Sequence, residues 1–194
     1  MSREPQKLRC LPSQTVGPFF HFALTTNKDL GRLWSKDTKG ERIRLRFRLL
    51  DGDGAPVPDG MIEIWQADAS GKYPHPADTR KQEADPSFHG FGRLATDADG
   101  ACTFETIRPG SVAGEQGGSQ APHINVSIFA RGLLGHVCTR VYFEGDPALD
   151  GDPILALVPP ERRQTLLAKR NATSGEWTFD INLQGAQETV FFDI

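Results

Sequence analysis

An all-β fold, a single β-sandwich with an extended amino-terminal arm and one or two short helices, is what the sequence predicts. Three observations carry that expectation. Apolar and polar residues alternate with period two in several short stretches. The 20 Gly and 14 Pro are spread between those stretches rather than gathered in a low-complexity tract, the pattern of many strands joined by turns. Finally, the 194 residues, 38% apolar and 24% charged, suffice for one well-cored domain and are few for two.

Residues 1–40 lack sustained periodicity and carry Pro5, Pro12, Gly17, Pro18, Gly31 and Gly40. They read as an extended arm with one short helical turn, and such an arm needs a surface to lie on. Phe19, Phe20 and Phe22 could anchor it on a partner or on the chain's own body. From residue 41 to 194 the sandwich is expected. Ile43, Leu45, Phe47 and Leu49 alternate with Arg44, Arg46 and Arg48, a strand with one buried face and one solvated basic face. Asp51-Gly-Asp-Gly54 is a turn, Met61 to Gln66 a second strand, and Asp99-Gly100 a turn before Cys102 to Ile107. Later strands are His123 to Ala130, Val137 to Phe143, and Trp177 to Leu183. The helix of the body is expected over Glu161 to Lys169, because Pro159-Pro160 suits a helix start and Leu166 and Leu167 can face inward.

A net charge of −3 offers no electrostatic reason to bind nucleic acid or an anionic membrane. The start, Met-Ser-Arg-Glu-Pro-Gln-Lys, lacks the apolar stretch expected of a signal peptide, and no run approaches the roughly 20 apolar residues of a membrane span. A cytoplasmic protein with small-molecule or protein partners is expected. Cys10, Cys102 and Cys138 are an odd number without CxxC spacing, which suits reduced, structural thiols.

The chemistry concentrates in Gln120-Ala-Pro-His-Ile-Asn-Val-Ser-Ile-Phe-Ala130. Residues two apart on a strand share a face, so His123 and Asn125 point together. Two imidazoles at that spacing could hold one metal, and His123 with Asn125 is half of such a site. Around it, Ile62-Glu-Ile-Trp-Gln-Ala67, Gly-Lys-Tyr73, Phe91-Gly-Arg93, Ile107-Arg-Pro-Gly110, Pro122-His-Ile124 and Tyr142-Phe-Glu-Gly-Asp146 follow one another in an order that resembles the intradiol ring-cleaving dioxygenases, over roughly residues 12–194.

Catalytic members of that family hold non-haem Fe(III) with two tyrosines and two histidines, hard phenolates suiting the ferric ion. Residue by residue, the resemblance matches Tyr73 to the first tyrosine and His123 to the first histidine. The second tyrosine falls on Val112, the second histidine on Asn125, and a substrate-side arginine on Gln120, so the site is vestigial and no cofactor is expected in this chain. His75 and His89, in the loop that carries Tyr73, are the residues that could restore metal binding. Tyr142 reads as core with a satisfied hydroxyl. The resemblance then implies the metal-free alpha chain of the family's two-subunit branch, paired with a homologous iron-bearing beta subunit. Ser13-Gln-Thr-Val-Gly-Pro18, Phe129-Ala-Arg-Gly132 and the ending Glu188-Thr-Val-Phe-Phe-Asp-Ile194 are similar to such chains. By the same resemblance Gly17, Pro18 and Arg131 wall the partner's pocket, with Arg131 on a ring carboxylate of the aromatic substrate that O2 cleaves. A sulfonate in place of the carboxylate, and a free-standing module that binds an aromatic ligand without catalysis, are the alternatives.

Overall fold

The computed structural model describes residues 10–81, 83–114 and 118–193. In chain order the strands are β1 (Arg42–Leu50), β2 (Met61–Gln66), β3 (Phe91–Ala95), β4 (Ala101–Ile107), β5 (Val112–Ala113), β6 (Ser119–Gln120), β7 (His123–Phe129), β8 (Val137–Phe143), β9 (Leu167–Arg170) and β10 (Trp177–Asn182). Eight of them form one sheet in the order β3-β2-β7-β8-β9-β10-β1-β4, folded over so that its two halves face each other across a common core. The short β5-β6 hairpin stands apart. The arm contributes a helix, α1 (Pro18–Leu24), and a 3-10 turn over Lys28–Gly31. Beyond that turn Leu33 is wholly buried in the same core as the strands. No described helix is long and apolar enough to cross a membrane.

Alternation in β1 does what its pattern predicts. Ile43, Leu45, Phe47 and Leu49 are buried while the intervening arginines are exposed. β1 lies between β10, parallel, and β4, antiparallel, so Leu45 has Trp177 on one side and Phe104 on the other. Phe47 meets Phe104 and Phe179 edge-on at centroid distances of 5.7 and 5.9 Å, and Phe143 meets Trp177 at 5.0 Å. Each such contact adds about 0.5–1.5 kcal/mol beyond the buried area. On the outer face Arg48 holds Asp180 through two nitrogens, at 3.1 and 2.7 Å. The turns are made by aspartates: Asp51 Oδ1 accepts from the amides of Asp53 and Ala55, and Asp97 Oδ1 from those of Asp99 and Ala101, all at 2.9 Å.

Beyond the strands expected, β3, β5 and β6 form, and the arm holds both α1 and a 3-10 turn; one expected element is lost. Residues 161–169 are not an α-helix: a 3-10 helix runs over Pro160–Leu166, and Leu167–Arg170 is β9. The start at the proline pair and the burial of Leu166 hold. The rest is overridden by pairing, because β9 bridges the halves of the sheet, parallel to β8 and antiparallel to β10, with Ala168 fully buried between them. Helix propensity is worth only tenths of a kcal/mol per residue there, less than the ladder and the burial it would forfeit. Cys102 and Cys138 are buried and Cys10 exposed, all as free thiols, and burial pushes the Cys102 thiol up to about 12.

Phe47→Ala should lower the unfolding free energy by about 3–5 kcal/mol, since the fully buried ring leaves a cavity, whereas Arg48→Ala, on an exposed pair, should cost less than about 1 kcal/mol. Denaturant midpoints of the two variants check this; equal losses would contradict the placement of the core.

Candidate functional site

β7 is paired on both edges, by β2 and by β8. The registers set Trp65 beside Asn125 and Asn125 beside Arg140, a row of three side chains across the outer face of the sheet. One rung along, His123 stands beside Tyr142. The opposite set, Ile124, Val126 and Ile128, goes to the core.

Tyr73 reaches this face from the loop after β2. Asp68 Oδ1 ties the loop's first turn, accepting from the amides of Ser70 (2.8 Å) and Lys72 (3.0 Å), while Oδ2 accepts from the Asp85 amide at 2.9 Å. Burial would raise the Asp68 carboxyl, yet these donors together with the Ser70 hydroxyl hold it below the usual range. Gly71 has φ +82°, and a Cβ there would lie 1.9 Å from the Ser111 carbonyl oxygen, so no other residue fits between the two loops. Asp78 completes the clamp: it accepts from Lys72 Nζ at 2.8 Å, from Arg80 Nε at 2.8 Å and from the Tyr73 amide at 3.0 Å. The Arg80 hydrogen bond above all holds the Asp78 carboxyl far below its ordinary range.

Thus placed, the Tyr73 ring stacks on Trp65 at 5.7 Å and 17°. Its hydroxyl accepts from Asn125 Nδ2 at 3.2 Å and lies 3.4 Å from His123 Nε2. His123 Nδ1 is 2.8 Å from the Ala121 carbonyl oxygen, which only accepts, so Nδ1 carries the proton and Nε2 faces Tyr73 with its lone pair. Burial, then the charge of Arg140, pushes His123 down to about 4, and burial raises the Tyr73 phenol. Both groups are neutral at pH 7. From the far side, the β5-β6 hairpin sets Val112 opposite Gln120, and Gln120 Oε1 accepts from Arg140 Nη1 at 2.7 Å. Together Trp65, Tyr73, Val112, Gln120, His123 and Arg140 line a cavity of about 540 Å3.

At the other end of the same sheet face, Gly17, Phe20, Asp59, Met61, Phe129 and Arg131 line a smaller groove of about 270 Å3. Thr15 Oγ1 accepts from the Gly132 amide at 2.8 Å, and Phe20 packs on Phe129 at 5.3 Å, pinning the arm to the chain's own sheet. Phe19 and Phe22 are 84% and 68% exposed. Arg131, with its side chain 70% exposed, meets Asp59 at 3.0 Å through Nε. Pro18 opens α1; its side chain lies outside the described residues.

A family model described as Dioxygenase matches residues 15–185. The chain is 42% identical to the protocatechuate 3,4-dioxygenase alpha chain of Burkholderia cepacia, over 96% of this chain and 98% of that one. The chain belongs to the intradiol ring-cleaving dioxygenases. It is also 36% identical to the protocatechuate 3,4-dioxygenase beta chain of the same organism, over 91% of this chain and 77% of that one. Among solved structures it is similar to the dioxygenase domain of a dioxygenase carbohydrate-binding protein fusion from Streptomyces sp. SirexAA-E, with a TM-score of 0.61 and 26% identity over 90% of this chain and 99% of that chain.

The site residues implied by the intradiol resemblance divide between the cavity and the groove, with Gly17 and Arg131 in the groove. Tyr73, Val112, Gln120 and His123 line one cavity, and Asn125 reaches the Tyr73 hydroxyl from its edge. The set does not fit iron. Tyr73 and His123 are the donors that face each other, the valine offers no lone pair, and the Arg140 guanidinium sets a fixed positive charge on the same cavity wall. His75 does reach the cavity wall, but its Nδ1 accepts from the Ala77 amide at 3.1 Å; His89 is not on the wall, and its amide is bonded to the Leu33 carbonyl. Among the described residues no three of His, Cys, Asp and Glu are grouped to hold a metal. Tyr142 is fully buried, with its hydroxyl donating to Asp152 Oδ1 at 3.1 Å. Sequence reasoning missed Trp65 and Arg140. The available signal was an arginine at the position two before Tyr142, on the same strand face in an otherwise apolar strand.

The buried His123 makes stability depend on pH. Unfolded, its imidazole takes a proton near 6.5; folded, it resists to about 4. Its contribution is therefore complete above pH 6.5 and lost as pH falls toward 4, on the order of 3 kcal/mol in all. Denaturation curves between pH 7 and 4.5 should show a steeper decline for the native chain than for His123→Gln, and parallel declines would refute the assignment.

Proposed function

We propose that this chain is the iron-free alpha subunit of a protocatechuate 3,4-dioxygenase, paired with a homologous beta subunit that holds the Fe(III). The observation that carries the reading is the cavity itself: Tyr73, His123 and Asn125 form a neutral network beside Arg140 that does not suit Fe(III), in a chain of alpha-chain likeness. Cleavage of 3,4-dihydroxybenzoate by O2, between the carbons that bear the hydroxyls, to 3-carboxy-cis,cis-muconate is then the partner's chemistry. The three free cysteines suit a cytoplasmic setting.

What this chain adds is a wall. The groove that contains Gly17 and Arg131 is the part of the surface offered to the partner's pocket, with Pro18 at its edge. Arg131 projects from it, held by one edge to Asp59, so that the guanidinium can meet the ring carboxylate by paired, charge-assisted hydrogen bonds. Phe19 and Phe22, exposed on α1, are the apolar contacts the arm presents to the beta chain. Arg131 orients substrate and performs no chemical step.

Co-expression with an iron-bearing homologue should yield ring cleavage that neither chain shows alone, and the chain purified by itself with iron should be colourless. In the complex, Arg131→Ala should raise the KM for 3,4-dihydroxybenzoate by about 10- to 100-fold, the loss of a charge-assisted contact, with little change for catechol. Equal effects on the two substrates would remove the carboxylate role. A preference for 4-sulfocatechol over 3,4-dihydroxybenzoate would reassign the substrate.

A further inference from the structure

Arg140 enters the cavity walled by Trp65 and Tyr73 with a charge that no carboxylate neutralises: among the described residues it forms no ion pair, and its side chain meets the neutral Gln120 and Tyr142. Asp78 lines the same cavity, but its carboxylate and that of Asp152 are each taken by other donors. Asp78 is held by Lys72 and Arg80. Asp152 accepts from the Tyr142 hydroxyl and from the amides of Ala121, Ile154 and Leu155 at 2.7–3.1 Å. A guanidinium in a partly enclosed space without a counter-charge is an anion site, because both the charge and its planar donor fork are left to a ligand.

The rest of the wall selects the anion. Trp65 and Tyr73 are stacked on each other, and His75 stands edge-on to Trp65 at 6.2 Å and 88°. These rings form a flat, polarisable part of the wall that Arg140 also lines. The Tyr73 hydroxyl and Gln120 supply neutral hydrogen-bonding groups. A volume of about 540 Å3 falls in the range of small-molecule sites, which pair apolar walls with a few polar groups.

We propose that this cavity binds a monoanionic aromatic carboxylate, with the carboxylate on Arg140 and the ring against Trp65. The site is separate from the Arg131 groove, with which it shares no lining residue, and it does not depend on catalysis.

Calorimetric titration of the full chain with benzoate, benzamide and cyclohexanecarboxylate tests it. Benzoate should bind saturably at one site per chain; benzamide, which lacks the charge, should bind at least about 10-fold more weakly, and cyclohexanecarboxylate, which lacks the π-face, should also bind more weakly. Arg140→Gln should weaken benzoate by at least about 10-fold, Arg140→Lys should recover part of the loss, and Arg131→Ala should leave binding unchanged. No saturable binding of benzoate, equal affinity for benzamide, or loss through Arg131→Ala rather than Arg140→Gln would overturn the proposal. The benzoate and benzamide comparison uses the unaltered chain, so it stands whether or not a variant folds.

Discussion

The double pairing of β7 is the constraint on which the rest of the structure depends. Held between β2 and β8, the strand has no freedom to slip, since a shift of one residue would send Ile124, Val126 and Ile128 to the outer face and His123 and Asn125 to the core. The hydrophobic core thereby determines what stands in the site. Trp65, Asn125 and Arg140 are neighbours because Ile64, Ile124 and Val141 are buried.

On that frame, the cavity of Tyr73 and His123 is chemically unlike a ferric centre and internally consistent. Tyr73 and His123 persist, and each is neutral and hydrogen-bonded. A buried phenolate without a metal would be costly; a phenol that accepts from an amide and faces an imidazole lone pair is not. Arg140, fixed on a strand, sets a positive charge on the same wall. The side chains that make the cavity unfit for iron come from two elements: Val112 and Gln120 on the hairpin, where Gln120 holds Arg140, and Asn125 on β7.

The same sheet face carries both regions of interest, at opposite ends of β2: Met61 under the arm and Trp65 beside the cavity. At one end Phe20 binds the arm to its own chain while Phe19 and Phe22 remain outward. The aromatic triplet thus divides its work between the chain's own sheet and the outside. Such an arrangement lets the arm be rigid before a partner arrives, which reduces the ordering cost of association.

Much of this was legible in the residues alone. Period-two alternation located β1 and β10, because a half-buried strand must alternate, and Asp-Gly turn chemistry set off β2 and β4. The motifs around Tyr73 and His123 named the family. Tertiary structure decided the remainder. Residues 167–170 became a strand rather than helix because the two halves of the sheet needed a bridge. Arg140 became part of the site through its register with Asn125, a relation between residues fifteen apart that no local pattern contains. Chemical identity is local and can be read along the chain; which charges face one another is set by long-range pairing, and that appears only when the strands are laid side by side.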